Sequence, residues 1–232
     1  MAGGSDGEFG LDKEKRAAFA HQAVHQTSQT AKLIQAYYGQ EVAYSYFNGC
    51  SDGGREAVME AIRYPNDFDG IIAGAPAMLF TFQNSFHHGW LAVSNTDNDG
   101  NRVVMLRFFT MLLSKHASNN STYLTSAEVE AVTKFYNGPV DARSGKHLTV
   151  GEEHTNTALA AIKYLIFEEY PGDNYTLNDF DFSDSTIDLL RSRHPLLDAV
   201  SSDLSEFHKA GGKLILWHGW ADPHISPRTT IA

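Results

Sequence analysis

Cysteine is nearly absent from this chain: Cys50 is the only one among 232 residues, so no disulfide can form within it. Taken alone, such a thiol reads as a small buried side chain in a reduced compartment. Long apolar runs are missing too. None approaches the roughly 20 residues that a membrane-spanning helix needs. Met1 leads into Ala-Gly-Gly-Ser-Asp rather than a charged start and an apolar core, so no signal peptide is expected. Basic residues are outnumbered by acidic ones, 18 against 28, for a formal net charge of −10. That balance argues against nucleic acid or an anionic membrane as partner, because both are held by basic patches. A neutral or weakly acidic organic ligand stays compatible. What remains is a globular composition, 42% hydrophobic, with length for one substantial core and an inserted subdomain.

The most informative stretch is Tyr44–Ala77, YSYFNGCSDGGREAVMEAIRYPNDFDGIIAGAPA, which reads as strand, sharp turn, helix and second strand. Gly49-Cys50-Ser51-Asp52-Gly53 fits G-x-S-x-G, the pattern of a nucleophile elbow. In that motif a tight, strained backbone lifts one serine hydroxyl above a sheet, and flanking glycines permit the turn. Val42–Phe47 is aromatic and β-prone. Ala57, Val58, Ala61 and Ile62 recur at helical spacing until Tyr64-Pro65 stops the helix. Phe68–Ala73 predicts a second strand parallel to the first, since a helix of this length is a crossover. Gly74-Ala75-Pro76-Ala77 breaks it. The alternation implies an α/β fold with reactive groups at the carboxyl ends of its strands.

Asn48–Ala77 closely resembles the tannase and feruloyl esterase family of α/β-hydrolases, whose members carry a cysteine directly before the nucleophilic serine, then two glycines and an arginine. Here those positions are Cys50, Ser51, Gly53, Gly54 and Arg55. A second block, GGKLILWHGWADPHISP from Gly211 to Pro227, is similar to the same family. The resemblance implies a partial α/β-hydrolase core of mostly parallel sheet from residues 1–77 and 201–232, with 78–200 as an inserted helical lid subdomain. It also implies hydrolysis of an aromatic carboxylic ester, galloyl, feruloyl or a related aryl ester, through an acyl-enzyme, and a secreted or periplasmic location. In the family the cysteine before the serine bonds to one beside the catalytic histidine. No partner cysteine exists here.

In chain order, Asp12 or a neighbour caps a long helix through Tyr38, with Ala20, Val24, Thr27, Ala31, Ile34 and Tyr38 on an inward face and Gly39 ending it. His21 and His25 lie one turn apart, a spacing compatible with a metal. Without an H-E-x-x-H arrangement or an evident third ligand, they read as packing or surface histidines, and no metal is expected. Phe80, Phe82, Phe86, His87, His88 and Trp90 suit either a pocket wall for an aromatic acyl group or a subdomain core. Asp97-Asn98-Asp99-Gly100 begins like a calcium loop but lacks the closing glutamate, and Asn-Asp-Gly is ordinary turn chemistry. Family members bind calcium in their lids; this cysteine-free lid is expected to hold no cofactor. Helices are predicted over Met105–Lys115, Ser126–Tyr136, Ala158–Tyr170 and Asp203–Ala210, and Lys213–Trp217, KLILW, reads as a buried strand. Asn119, Asn120 and Asn174 fit the glycosylation acceptor pattern, which matters only on a secreted eukaryotic protein.

A serine hydroxyl is a weak nucleophile until a base takes its proton, and a carboxylate must orient that base. Ser51 is the candidate nucleophile. By the resemblance Asp222 is the acid, at the end of a strand following the nucleophile as an α/β-hydrolase requires. The Asp52 backbone N–H is one oxyanion donor, and Gly3-Gly4 a candidate second; Gly49, Gly53, Gly54 and Cys50 shape the turn. His218 and His224 flank Asp222 on its own loop and are badly placed to reach a serine on another strand, so the base is expected beyond Ala232. Two alternatives stay open: a truncated, non-catalytic fragment that keeps the pocket, and an esterase of another α/β-hydrolase family. A sheet of few strands with an unprotected edge also predicts self-association.

Overall fold

The computed structural model describes residues 7–99, 101–104, 125–139, 144, 155–191, 195–220, 222 and 224–231. Helices α1 (Lys13–Ala17) and α2 (Ala23–Tyr37) precede strand β1 (Tyr46–Cys50). Helix α3 (Asp52–Arg63) crosses to β2 (Gly70–Gly74), and β3 (Lys213–Trp217) follows much later in the chain. The strands are parallel, in spatial order β1-β2-β3. Tyr46, Gly70 and Lys213 stand level at one end and Cys50, Gly74 and Trp217 at the other. Three carboxyl ends therefore open on one rim.

The first two strands start later than their composition suggests. The Asp69 carboxylate accepts the Ser45 N–H at 2.6 Å while the Asp69 N–H donates to the Ser45 carbonyl at 2.8 Å. Regular pairing begins after this clasp, so β1 runs to Cys50 and β2 to Gly74.

One face of the sheet is covered. Ile71 and Ala73 pack with Ala57, Val58, Met59 and Ala61 of α3 and with Phe207, and Phe47 and Leu214 lie against the cluster. The other face is open: Tyr46 is 72% exposed, Ile215 58% and Trp217 50%. KLILW is thus not a buried strand. A continuous apolar run signals cover on both faces, and among the described residues only the α3 side supplies it.

Asp12 does cap the amino-terminal helix, accepting the N–H groups of Glu14 and Lys15. Its inward face differs from the expected one. A π turn at Ala18–Gln22 joins α1 to α2. One residue beyond regular helical phase rotates everything after it by about 100°. Ala20 stays buried, but Thr27, Ala31, Ile34 and Tyr38 turn to the surface, while Ser28 is buried and His25 and Lys32 half-buried. The expected stripe moves one position along the chain.

The helical layer has its own core. Phe80, Phe86, Ala158, Ile162, Leu165, Leu177, Phe180 and Leu197 are buried together, with Ala20 joining them and Phe9 and Phe19 packed against them. Phe82 stacks on Phe86 at 5.2 Å, and Phe180 and Phe182 meet Phe86 edge-on. Of the two readings of that aromatic run, the core reading describes Phe80 and Phe86. Thr125 and Glu128 form a capping box on the Ser126–Asn137 helix. The helix expected over Ala158–Tyr170 starts earlier, at Thr155, and passes through a π turn at Ala161–Ile166. It stops there because Phe167 is extended. The short helix before β3 is Ser205–Lys209. Met105–Lys115 lies outside the described residues.

Candidate active site

Ser51 stands between the last residue of β1 and the first of α3 with φ 62° and ψ −121°. A positive φ on a residue with a Cβ costs about 1–3 kcal/mol and persists only where surrounding contacts impose it. Here they do. The Ser51 N–H donates to the Gly74 carbonyl at 3.0 Å, and its own carbonyl accepts the N–H groups of Ala77 and Arg55, each at 3.1 Å. The Gly74–Ala77 turn therefore clamps both backbone groups of the serine. Ala75 in that turn also has a positive φ, 38°, which nothing in its residue type announces.

The glycines around Ser51 divide into required and tolerant positions. A Cβ on Gly49 would lie 2.2 Å from the Gly53 carbonyl oxygen, and one on Gly54 would lie 2.5 Å from that of Gly74. Both are contacts no side chain sustains. A Cβ on Gly53 would meet nothing within 4 Å. In G-x-S-x-G the second glycine thus has room to spare, and the third small residue, Gly54, is the one that lets α3 seat against β2.

Arg55, one turn into α3, is fully buried. Its Nε donates to Asp52 Oδ1 at 2.6 Å, Nη1 donates to the carbonyls of Ala20 (2.8 Å) and Leu197 (3.3 Å), and Nη2 reaches the Phe19 carbonyl at 3.4 Å. Phe19 and Phe80 flank the guanidinium at 5.2 Å each. The π turn that breaks the amino-terminal helix is what presents the Phe19 and Ala20 carbonyls. One buried cation thereby ties the elbow to the amino-terminal helix and to the segment before β3. Sequence reading identified Arg55 only as a family position; the signal for its burial is its place among Gly54, Ala57 and Val58 on the covered face of α3.

Asp222 lies past the end of β3, on the same rim as Ser51. Its Oδ1 accepts the N–H groups of His224 (2.9 Å) and Ile225 (3.0 Å), and its Oδ2 lies 3.2 Å from His218 Nε2. Burial alone would raise its pKa, but the Ile225 and His224 N–H groups and His218 outweigh that and hold the carboxyl below its usual range. Asp222 is ionised at neutral pH. His218 is held inside this loop, Nδ1 against Thr230 Oγ1 at 2.7 Å and Nε2 against the Ile225 carbonyl at 2.9 Å. No described histidine hydrogen-bonds to Ser51. Because β2 lies between β1 and β3, the two carboxyl ends stand about 10 Å apart, two strand spacings. Between them runs the Gly74-Ala75-Pro76 turn, which is buried, with the Trp217 ring packed against Gly74.

Asp52 opens α3, so its N–H is one of the four without an intrahelical acceptor. Gly3-Gly4 lies outside the described residues. Cys50 is exposed, which corrects the buried-thiol reading: on β1 it alternates with the half-buried Gly49 onto the open side. In the Asp97 turn, Oδ1 accepts the N–H groups of Asp99 (3.0 Å) and Asn101 (2.8 Å), closing a hairpin in which Thr96 bridges Arg102. No described helix is long and apolar enough to cross a membrane.

Comparison with known proteins agrees with this fold. The model of the tannase and feruloyl esterase family matches residues 1–107 and 154–232. A probable feruloyl esterase of Arthroderma benhamiae is 29% identical across 92% of this chain and 49% of its own length. Feruloyl esterase B of Aspergillus niger is 28% identical across 97% of this chain and 52% of its own. The crystal structure of feruloyl esterase B from Aspergillus oryzae superimposes with a TM-score of 0.72 at 20% identity, over 96% of this chain and 53% of that one. The chain spans about half the length of the curated relatives it matches. With a parallel sheet, an elbow at Ser51 and a family match over most of its residues, this α/β-hydrolase-type chain belongs to the tannase and feruloyl esterase family.

Proposed function

We propose that this chain carries the nucleophile and the acid of a serine carboxylic ester hydrolase acting on aromatic esters, galloyl, feruloyl or a related aryl ester. The observation that carries the proposal is the Ser51 backbone, held at φ 62° by hydrogen bonds to Gly74 and Ala77 on the rim that Asp222 shares. In the proposed reaction Ser51 Oγ attacks the ester carbonyl, the Asp52 N–H donates to the developing oxyanion, and the alcohol departs to leave an acyl-enzyme that water hydrolyses. Asp222 orients the base. That base is an imidazole set between Asp222 and Ser51; His218 is not the candidate, because both its nitrogens are engaged in the Asp222 loop. Residues 78–200 are proposed as the lid that sets acyl specificity. Secretion is the location the family resemblance favours, and self-association through the open sheet is the proposed assembly behaviour.

The test is turnover of a nitrophenyl ferulate, measured with the base present, by the chain and by its Ser51→Ala and Asp222→Asn variants. Loss of a triad member costs about 10³ to 10⁶ in rate, so the reading requires a fall of that order for Ser51→Ala. Equal turnover by that variant, shown to be folded, would assign the hydrolysis to another group.

A further inference from the structure

We propose that His25, Glu60 and Asp67 form a binding site for a divalent transition-metal ion, and that zinc is the ion their donor set suits. The π turn at Ala18–Gln22 rotates α2 so that His21, His25, Gln29 and Lys32, spaced one turn apart, face the end of α3 and the loop before β2. His25 Nδ1 and the carboxylate oxygens of Glu60 and Asp67 all lie within 4.8 Å of one another. One imidazole nitrogen and two carboxylates are a zinc donor set. A tetrahedral ion 2.0–2.2 Å from each donor spaces them about 3.4 Å apart, so the 2.6 Å between His25 Nδ1 and Asp67 Oδ2 must open by roughly 0.8 Å.

The burial of Glu60 is a second observation. Glu60 is 1% exposed, and its Oε2 is buried without a hydrogen-bond partner. A carboxylate oxygen in that position is costly to leave alone. The surroundings hold the donors in place. His25 stacks on Tyr64 at 3.9 Å, Gln29 Nε2 donates to Asp67 Oδ1 at 2.5 Å, and Lys32 Nζ donates to the Asp67 carbonyl at 2.7 Å. The His25 side chain is 32% exposed, which leaves the fourth position to water. Glu60 sits nine residues along α3 from Ser51, roughly 13 Å at 1.5 Å per residue, so the ion would fasten α2 to α3 rather than take part at the elbow.

Calorimetric titration of the chelator-treated chain with zinc chloride tests this, beside Glu60→Gln and Asp67→Asn. The site requires one equivalent bound, a higher thermal midpoint with zinc, and affinity at least about tenfold weaker in each variant. Cobalt as a substitute must give the visible absorption of a four-coordinate ion, lost in Glu60→Gln. That variant removes a buried acid without changing volume and can hydrogen-bond Asp67, so it decides the matter even if Asp67→Asn does not fold. No saturable binding at millimolar zinc, or equal affinity in Glu60→Gln, overturns the assignment and returns these residues to a proton-sharing hydrogen-bond network.

Discussion

Replacing Arg55 by methionine keeps the length of the side chain and removes the fork that joins three parts of the chain. The guanidinium is fully buried and donates to Asp52, Ala20, Leu197 and Phe19 over 2.6–3.4 Å. Asp52 is 41% exposed, so water takes over much of its share, and that ion pair contributes at most about 1 kcal/mol. The larger cost comes from the carbonyls. Each buried acceptor left unmade costs about 1–3 kcal/mol, and the paired contacts with Phe19 and Phe80 add about 1 kcal/mol more. With the Ala20 and Leu197 carbonyls as the two buried acceptors, a loss of about 3–8 kcal/mol follows, a large part of the 5–15 kcal/mol typical of a folded protein. Urea unfolding followed by circular dichroism measures it, and the thermal midpoint should fall by roughly 10 °C. Arg55→Lys should recover less than half, because an ammonium cannot span Asp52 and Ala20 together. A change below about 1 kcal/mol for Arg55→Met would refute the claim that this residue binds the elbow to its supports.

Alanine at Gly49 or Gly54 should prevent accumulation of soluble folded chain, whereas Gly53→Ala should leave the melting curve nearly unchanged, since only the first two positions meet backbone atoms within 2.5 Å. The metal-free chain should lose stability as pH rises. Glu60 is held near 8 when folded against 4.5 in its ordinary state, so between those values the folded state retains a proton that the unfolded chain has released. Asp67 and Glu56 sharpen this effect and a backbone hydrogen bond from His25 opposes it. Urea midpoints from pH 5 to 8 should flatten in Glu60→Gln, and an equal slope in that variant would remove Glu60 as the cause. Cys50, being exposed, should titrate with a thiol reagent in the native protein, and slow reaction only on unfolding would contradict its placement.

The elbow was legible because its residues announce local geometry. Ser51 between a β-prone run and a helical one, and HGWADP after KLILW, place two groups on one rim once the strands are taken as parallel. The face of α2 was not legible, because a π turn carries no residue signature and a single one shifts every later position. Thr27 and Ile34 follow an apolar period and are exposed, whereas His25 and Lys32 break it and face Glu60 and Asp67. His21 and His25 were noticed for their spacing, but the missing ligands come from 35 or more residues away, which only packing brings near. KLILW misled for a different reason: apolarity reports what a strand is suited to bury, while cover depends on neighbours elsewhere. Arg55 shows the converse, a charged residue whose burial rests on carbonyls in two distant segments.

The measurement that tests the central claim most directly is labelling of the folded chain by a serine-directed fluorophosphonate, with peptide mass spectrometry to locate the adduct. The account predicts one adduct on the peptide that carries Ser51 and none in Ser51→Ala. An adduct on a different serine, or one that persists in Ser51→Ala, would contradict the assignment of Ser51 as the nucleophile.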